Sequence, residues 1–234
     1  MNKIMMTVAF MLVMVTSVLA QDKPVETETN QKRNEIDKKI YQLALRYNVL
    51  AVARTKLFEL IERNPTNITY PETLTSLYFE AGQYTSAAVS ALDILEMNDK
   101  SLIALEVAAN SLEQLGALDK ALPNFERHYL LTNNLFSLYK TAYMQYSLNR
   151  QEEALNSINM LVKAPKASEE KVGFPKADNT TQEVTLKAAA LNLKGMVYMY
   201  QKNKAEAIAA LNQALEMQSD FELAIENLKE ANKL

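Results

Sequence analysis

Between residues 34 and 221 apolar and polar positions alternate with the period of an α-helix, and one small apolar position recurs at long intervals. Ala53, Ala87, Ala121, Ala154 and Ala207 hold it, at successive spacings of 34, 34, 33 and 53 residues. Four residues after each alanine stand Leu57, Ala91, Phe125, Ile158 and Leu211; seven after stand Leu60, Ile94, His128, Leu161 and Ala214. Those offsets keep one face of a helix apolar. Five residues before the first four alanines stand Asn48, Gly82, Gly116 and Asn149. Glycine and asparagine are the residues that best tolerate a left-handed backbone, and one of them just past a helix reverses the chain. Twelve residues before the alanines stand Tyr41, Thr75, Ala109, Ala142 and Gly195. Four of these five are small, which predicts a close crossing of two helices. The pattern therefore predicts a unit of helix, tight turn and helix, repeated about every 34 residues, the kind of period that marks a repeat architecture.

These positions resemble the tetratricopeptide-repeat family. In LNLKGMVYMYQKNKAEAIAALNQAL (191–215), Gly195, Tyr198, Ala207, Leu211 and Ala214 fall at the family's signature positions, as do Tyr78, Gly82, Tyr84 and Ala87 further upstream. Pro65 stands where the family closes a second helix with proline. The resemblance implies an all-α, right-handed superhelical solenoid of about five repeats, at 34–67, 68–101, 102–134, 135–165 and 188–221. FELAIENLKEANKL (221–234) reads as a C-terminal capping helix. The chain departs from the family at Ala44 and Leu112, which replace a signature tyrosine, and at Lys194, which replaces leucine. Pro123 lies early in a second helix, tolerable there only near the first turn. The fifth turn holds Lys202 and Asn203, which suggests a shift of phase by one residue.

The long last spacing reflects an insertion near KAPKASEEKVGFPKADNTTQEV (163–184). Only Val172 and Phe174 offer anchors in it, so the expectation is a disordered loop rather than an ordered excursion. At the other end, MNKIMMTVAFMLVMVTSVLA has an early lysine, an apolar run from Ile4 to Val15, and Val18-Leu19-Ala20. That order is a secretory signal cleaved after Ala20; the run falls short of the roughly 20 apolar residues a membrane-spanning helix needs. Residues 21–33 are polar and read as a flexible linker before the solenoid at 34–234.

Composition narrows the chemistry. Six prolines and four glycines in 234 residues disfavour a turn-rich β fold. The net charge of −3, with no basic block, gives no footprint for nucleic acid. The absence of cysteine excludes disulfides, thiolate metal sites and cysteine nucleophiles. His128, the only histidine, sits at a position that is apolar in the other repeats and reads as a core residue. No second histidine is present for a zinc site, and no glycine-rich phosphate loop or nucleophile elbow occurs. Glu72 and Glu106 hold equivalent positions in adjacent repeats and read as a solvated acidic face rather than a catalytic pair. Asn67-Ile68-Thr69 and Asn179-Thr180-Thr181 have the glycosylation spacing, which is taken as chance. The expectation is a protein without enzymatic activity, cofactor or metal.

In the resembling family the first helices line a concave groove. Carried over position by position, the N-terminal half of that groove offers Glu35, Lys38, Gln42, Thr69, Glu72, Ser76, Glu106, Asn110 and Glu113, a polar and mostly acidic set. The C-terminal half offers Phe136, Tyr139, Tyr143 and Tyr146, then Asn192, Met196 and Met199. The tyrosines follow i, i+4, i+7 spacing and form one stripe; it reads either as a binding surface or as cover for the insertion. The family's clamp for acidic tails is matched only at Lys38, with Thr73, Ile103 and Val107 elsewhere, so that partner class is disfavoured. The resemblance implies an adaptor that binds a protein or peptide partner, and the leader implies that it is exported, periplasmic or secreted, with no membrane span in the mature form. The alternative is a small-ligand or glycan-binding component of an envelope uptake system.

Overall fold

The structure, a computed structural model, describes residues 25–176 and 178–234. The expected signal segment, 1–20, lies outside the described residues. The helices are α1 (Val25–Arg46), α2 (Leu50–Arg63), α3 (Thr69–Glu80), α4 (Tyr84–Met97), α5 (Leu102–Gln114), α6 (Leu118–Thr132), α7 (Leu135–Ser147), α8 (Gln151–Lys163), α9 (Leu186–Tyr200), α10 (Lys204–Met217) and α11 (Glu222–Lys233). Between α8 and α9 lie a 3-10 turn (Pro165–Ser168) and two strands, β1 (Lys171–Pro175) and β2 (Thr181–Thr185). The described residues divide into two compact units, those up to Tyr70 and those from Pro71 to Leu234.

Five turns share one geometry. Asn48, Gly82, Gly116, Asn149 and Lys202 all have positive φ, between 55° and 74°. The next residue's N–H reaches back five positions in every case: Val49 to the Ala44 carbonyl (2.8 Å), Gln83 to Tyr78 (2.9 Å), Ala117 to Leu112 (2.9 Å), Arg150 to Gln145 (2.8 Å) and Asn203 to Tyr198 (2.9 Å). The left-handed residue itself bonds three positions back, at 2.9–3.0 Å in all five turns. This is the Schellman closure, which satisfies carbonyls that a helix end otherwise leaves bare. Lys202 occupies the left-handed site despite its side chain, so the fifth turn keeps the register of the others and the expected phase shift does not occur.

The repeated alanines follow as packing residues. Ala53, Ala87, Ala121, Ala154 and Ala207 are fully buried. Gly195 explains the small residue on the facing helix most directly: a Cβ there would stand 2.5 Å from Leu211 Cγ. His128 is buried as expected, with Nδ1 2.8 Å from Ser137 Oγ across the α6–α7 contact. Pro123 lies inside α6 as its sixth residue, beyond the first turn, so the helix forgoes the bond that an N–H there would give the Asp119 carbonyl.

In the first unit α1 packs on α2 through Ala44, Ala53, Leu57 and Leu60. The described helix includes residues 25–33, which are therefore helical and not the expected linker. VETETNQKR lacks glycine and proline and is rich in glutamate, glutamine, lysine and arginine, which have high helix propensity. Asp37, buried on α1, is held by Lys56 at 3.0 Å and by the Arg63 guanidinium. Burial pushes its carboxyl up, but the hydrogen bonds and charges of Lys56 and Arg63 outweigh it and hold the group below the usual range.

In the second unit consecutive helices pack on each other in chain order from α4 to α11. The insertion is an ordered β-hairpin, not a disordered loop. Lys171 pairs with Thr185, Gly173 with Glu183 and Pro175 with Thr181, antiparallel. Asn179 takes the left-handed conformation in the connecting turn, and Asp178 Oδ1 accepts from the Thr180 N–H at 3.0 Å. Val172 and Phe174 on β1 and Val184 on β2 point to one face and join the core of α7, α8 and α9. A period-two pattern of this length buries little by itself; a receiving surface on the neighbouring helices orders it.

Candidate functional site

The hairpin stands against α7, α9 and α11 and walls a cavity of about 710 Å³. Phe136, Tyr139 and Tyr143 on α7 and Met196 on α9 line it, together with β1 and Leu223. The local reason is phase. α7 buries Leu138, Ala142 and Gln145 among its neighbours, which turns Tyr139 and Tyr143 toward the open side one turn apart.

The two tyrosines differ. Tyr139 is 8% exposed, and its ring meets Phe174 edge to face at 6.4 Å. Phe174 in turn meets Phe221 at 5.0 Å. Burial raises the Tyr139 phenol far above its usual range, with smaller contributions from Tyr143 and Glu113, so it stays a neutral hydroxyl. Tyr143 is 38% exposed at the mouth. Along the stripe the first member covers the insertion, and the second faces the opening.

Charge at the site is limited. Glu113 and Lys140 both line the cavity and pair at 2.7 Å with each other, and the Lys140 ammonium stands 5.5 Å from the Phe136 ring centroid. Asn192 is 2% exposed yet lines the wall. Its Oδ1 accepts from Asn227 at 2.8 Å, while its Nδ2 reaches only the Met196 sulfur at 3.7 Å. A thioether is a weak acceptor, so this amide keeps donor capacity.

Other expected site residues lie elsewhere. Glu106 and Asn110 line a smaller hollow of about 220 Å³ with Ser76, Phe79 and Val107. Glu72 accepts from Ser101 Oγ at 2.6 Å, supporting the residue that caps α5 through the Ala104 N–H. Tyr146 packs against the α7–α9 core, where burial, then Tyr143 and Tyr200, raise its phenol. Met199 packs with Ala207, Leu211 and Ala231. The β1 residues, Lys140 and Leu223 were missed by the sequence reading, because a groove carried over from helical repeats contains no strand. The alternation of Val172 and Phe174 was the available signal.

The tetratricopeptide-repeat sequence profile matches residues 188–221, a span holding most of α9 and all of α10. Solved structures agree over most of the chain. YrrB, described as a TPR protein with an unusual peptide-binding site, superposes with a TM-score of 0.65 at 19% identity, covering 83% of this chain and 89% of that one. The chain has the tetratricopeptide-repeat fold. MamA superposes on this repeat protein with a TM-score of 0.63 at 14% identity, covering 82% of this chain and 97% of its own. MamA from Desulfovibrio magneticus RS-1 gives 0.61 at 13% identity, covering 81% and 97%. At these identities the likeness establishes the fold alone. No curated protein matches the chain in sequence. Among the described residues no helix is long and apolar enough to cross a membrane, and no cluster of three histidine or acidic side chains could hold a metal ion.

Proposed function

We propose that this repeat protein is a non-catalytic interaction scaffold that receives a protein or peptide segment in the hairpin-walled cavity. The observation that carries the reading is the cavity itself: aromatic and apolar walls, an exposed tyrosine at the mouth and a buried amide with spare donor capacity. Tyrosines of this kind supply contact area and a hydroxyl together. The YrrB description, a peptide-binding site on a similar fold, supports the same class of ligand. Selection of random linear peptides against the purified protein tests the proposal. Tyr143→Ala should weaken a selected peptide by about thirty-fold, or about 2 kcal/mol, without moving the thermal midpoint. Equal affinity for the variant would remove the cavity from the binding reaction.

The volume also falls within the range of small-molecule sites, which favours a sugar or other small ligand as the second reading. Thermal stabilisation by sugars, with no peptide selected, would decide for it. We propose further that the protein is exported and cleaved after Ala20. The order of Lys3, the apolar run and Val18-Leu19-Ala20 supports this. Intact-mass measurement of envelope or secreted material checks it, and a chain retaining Met1 in that material would refute it.

A further inference from the structure

The cavity meets β1 along its edge. Lys171, Val172, Gly173, Phe174 and Pro175 all line it, residues from both faces of the strand, and β2 contributes none of the lining. The cavity therefore lies on the side of β1 away from β2. Backbone direction follows from the register. The Leu186 N–H bonds the Glu170 carbonyl and the Lys176 N–H bonds the Thr180 carbonyl, both at 2.8 Å. Hydrogen-bonded pairs in an antiparallel ladder alternate, so Val172 and Phe174 turn their backbone groups to β2. Lys171 and Gly173 turn theirs outward, with the carbonyl of Pro175. Among the described residues no backbone bond outside the hairpin takes up these outward groups. Gly173 has no side chain of its own on that face, and a Cβ there would come within 2.8 Å of the Thr181 methyl.

Charge selects the occupant. Glu113 is matched by Lys140, and among the described residues the exposed Lys171 on the wall has no ion-pair partner. Resting on the groove reading above, we infer that the partner segment binds as an extended strand added to the outer edge of β1, with an acidic side chain or terminal carboxylate against Lys171. Its backbone exchanges hydrogen bonds with Lys171 and Gly173, and its inward side chains meet Tyr143 and Met196. Strand addition draws affinity from main-chain bonds and specificity from alternate side chains.

An N-methyl scan of the selected peptide tests this. Each backbone amide is methylated in turn, and binding to the purified protein is measured by calorimetry. Methylation at every second residue along one stretch should weaken binding about tenfold or more, with the intervening positions tolerant. Lys171→Glu should weaken an acidic peptide about tenfold, and exchanging the peptide's acidic residue for lysine should restore it. Sensitivity without a two-residue period, in a peptide still weakened by Tyr143→Ala, overturns strand addition and leaves the groove reading standing. A peptide indifferent to Tyr143→Ala overturns the groove reading and this inference with it.

Discussion

Two stretches of the same repeat surface differ in depth. Between α3 and α5 the first helices alone form a hollow of about 220 Å³, lined by Glu106, Asn110 and their neighbours. Between α7 and α9 the same kind of helix pair borders a cavity about three times larger, because a hairpin rises beside it. The turns, the buried alanines and the helix lengths hardly change between the two. Repetition supplies a uniform shelf; the departure from repetition supplies a pocket. Function in such an array is sought where the period breaks.

The comparison can be broken at the hairpin first. Phe174→Ala removes the ring between Tyr139 and Phe221 and should cost the second unit about 3 kcal/mol, read as a lower urea midpoint. Peptide affinity should fall with it, while a change at the shallow hollow would do neither. Gly195→Ala forces a methyl against Leu211 beneath the deep side. It should cost about 1–3 kcal/mol by overpacking, and the cost should shrink in a background of Leu211→Ala. Gly116→Val puts a β-branched residue at φ 74° and should cost about 1–2 kcal/mol in the same assay. Lys202→Gly is its mirror and should stabilise by up to about 1 kcal/mol, because the lysine already carries the strain of φ 59°. Glu106→Ala and Asn110→Ala, in the shallow hollow, should change peptide affinity by less than about 0.5 kcal/mol. A larger loss would make the two surfaces one binding site.

What the sequence disclosed follows the range of the forces involved. The helix pairs were legible because each turn is closed by bonds within six residues, and asparagine or glycine announces four of the five. Lys202 carried no such announcement, and the fifth turn was expected out of phase although Lys202 stands as far before Ala207 as the other turn residues stand before their alanines. Residues 25–33 looked like a tether by polarity, yet helix propensity governs an exposed face as well as a buried one. The hairpin was opaque for the opposite reason. Val172 and Phe174 are too few to hold two strands by themselves, and the surface that receives them is assembled from Tyr139, Leu186 and Phe221, remote from one another in the chain. At the site, Tyr139, Tyr143, Phe136 and Met196 were anticipated together, but Lys171 and Gly173 depend on a strand no helical template contains.

Phe174 also changes how the end of the molecule comes apart. In a linear array each unit touches its sequence neighbours, and the terminal helix is the first to exchange its amides with solvent. Here Phe221, at the start of α11, is joined through Phe174 to Tyr139 on α7. Gln182 donates to the Asp220 carbonyl at 2.7 Å and accepts from the Glu222 N–H at 3.2 Å. These links bypass the chain order, so the residues from α7 to α11 should open as one cooperative block. The first turn of the terminal helix should then share the protection of the block's interior rather than fray, and amide exchange there should slow further if a segment lodges beside β1.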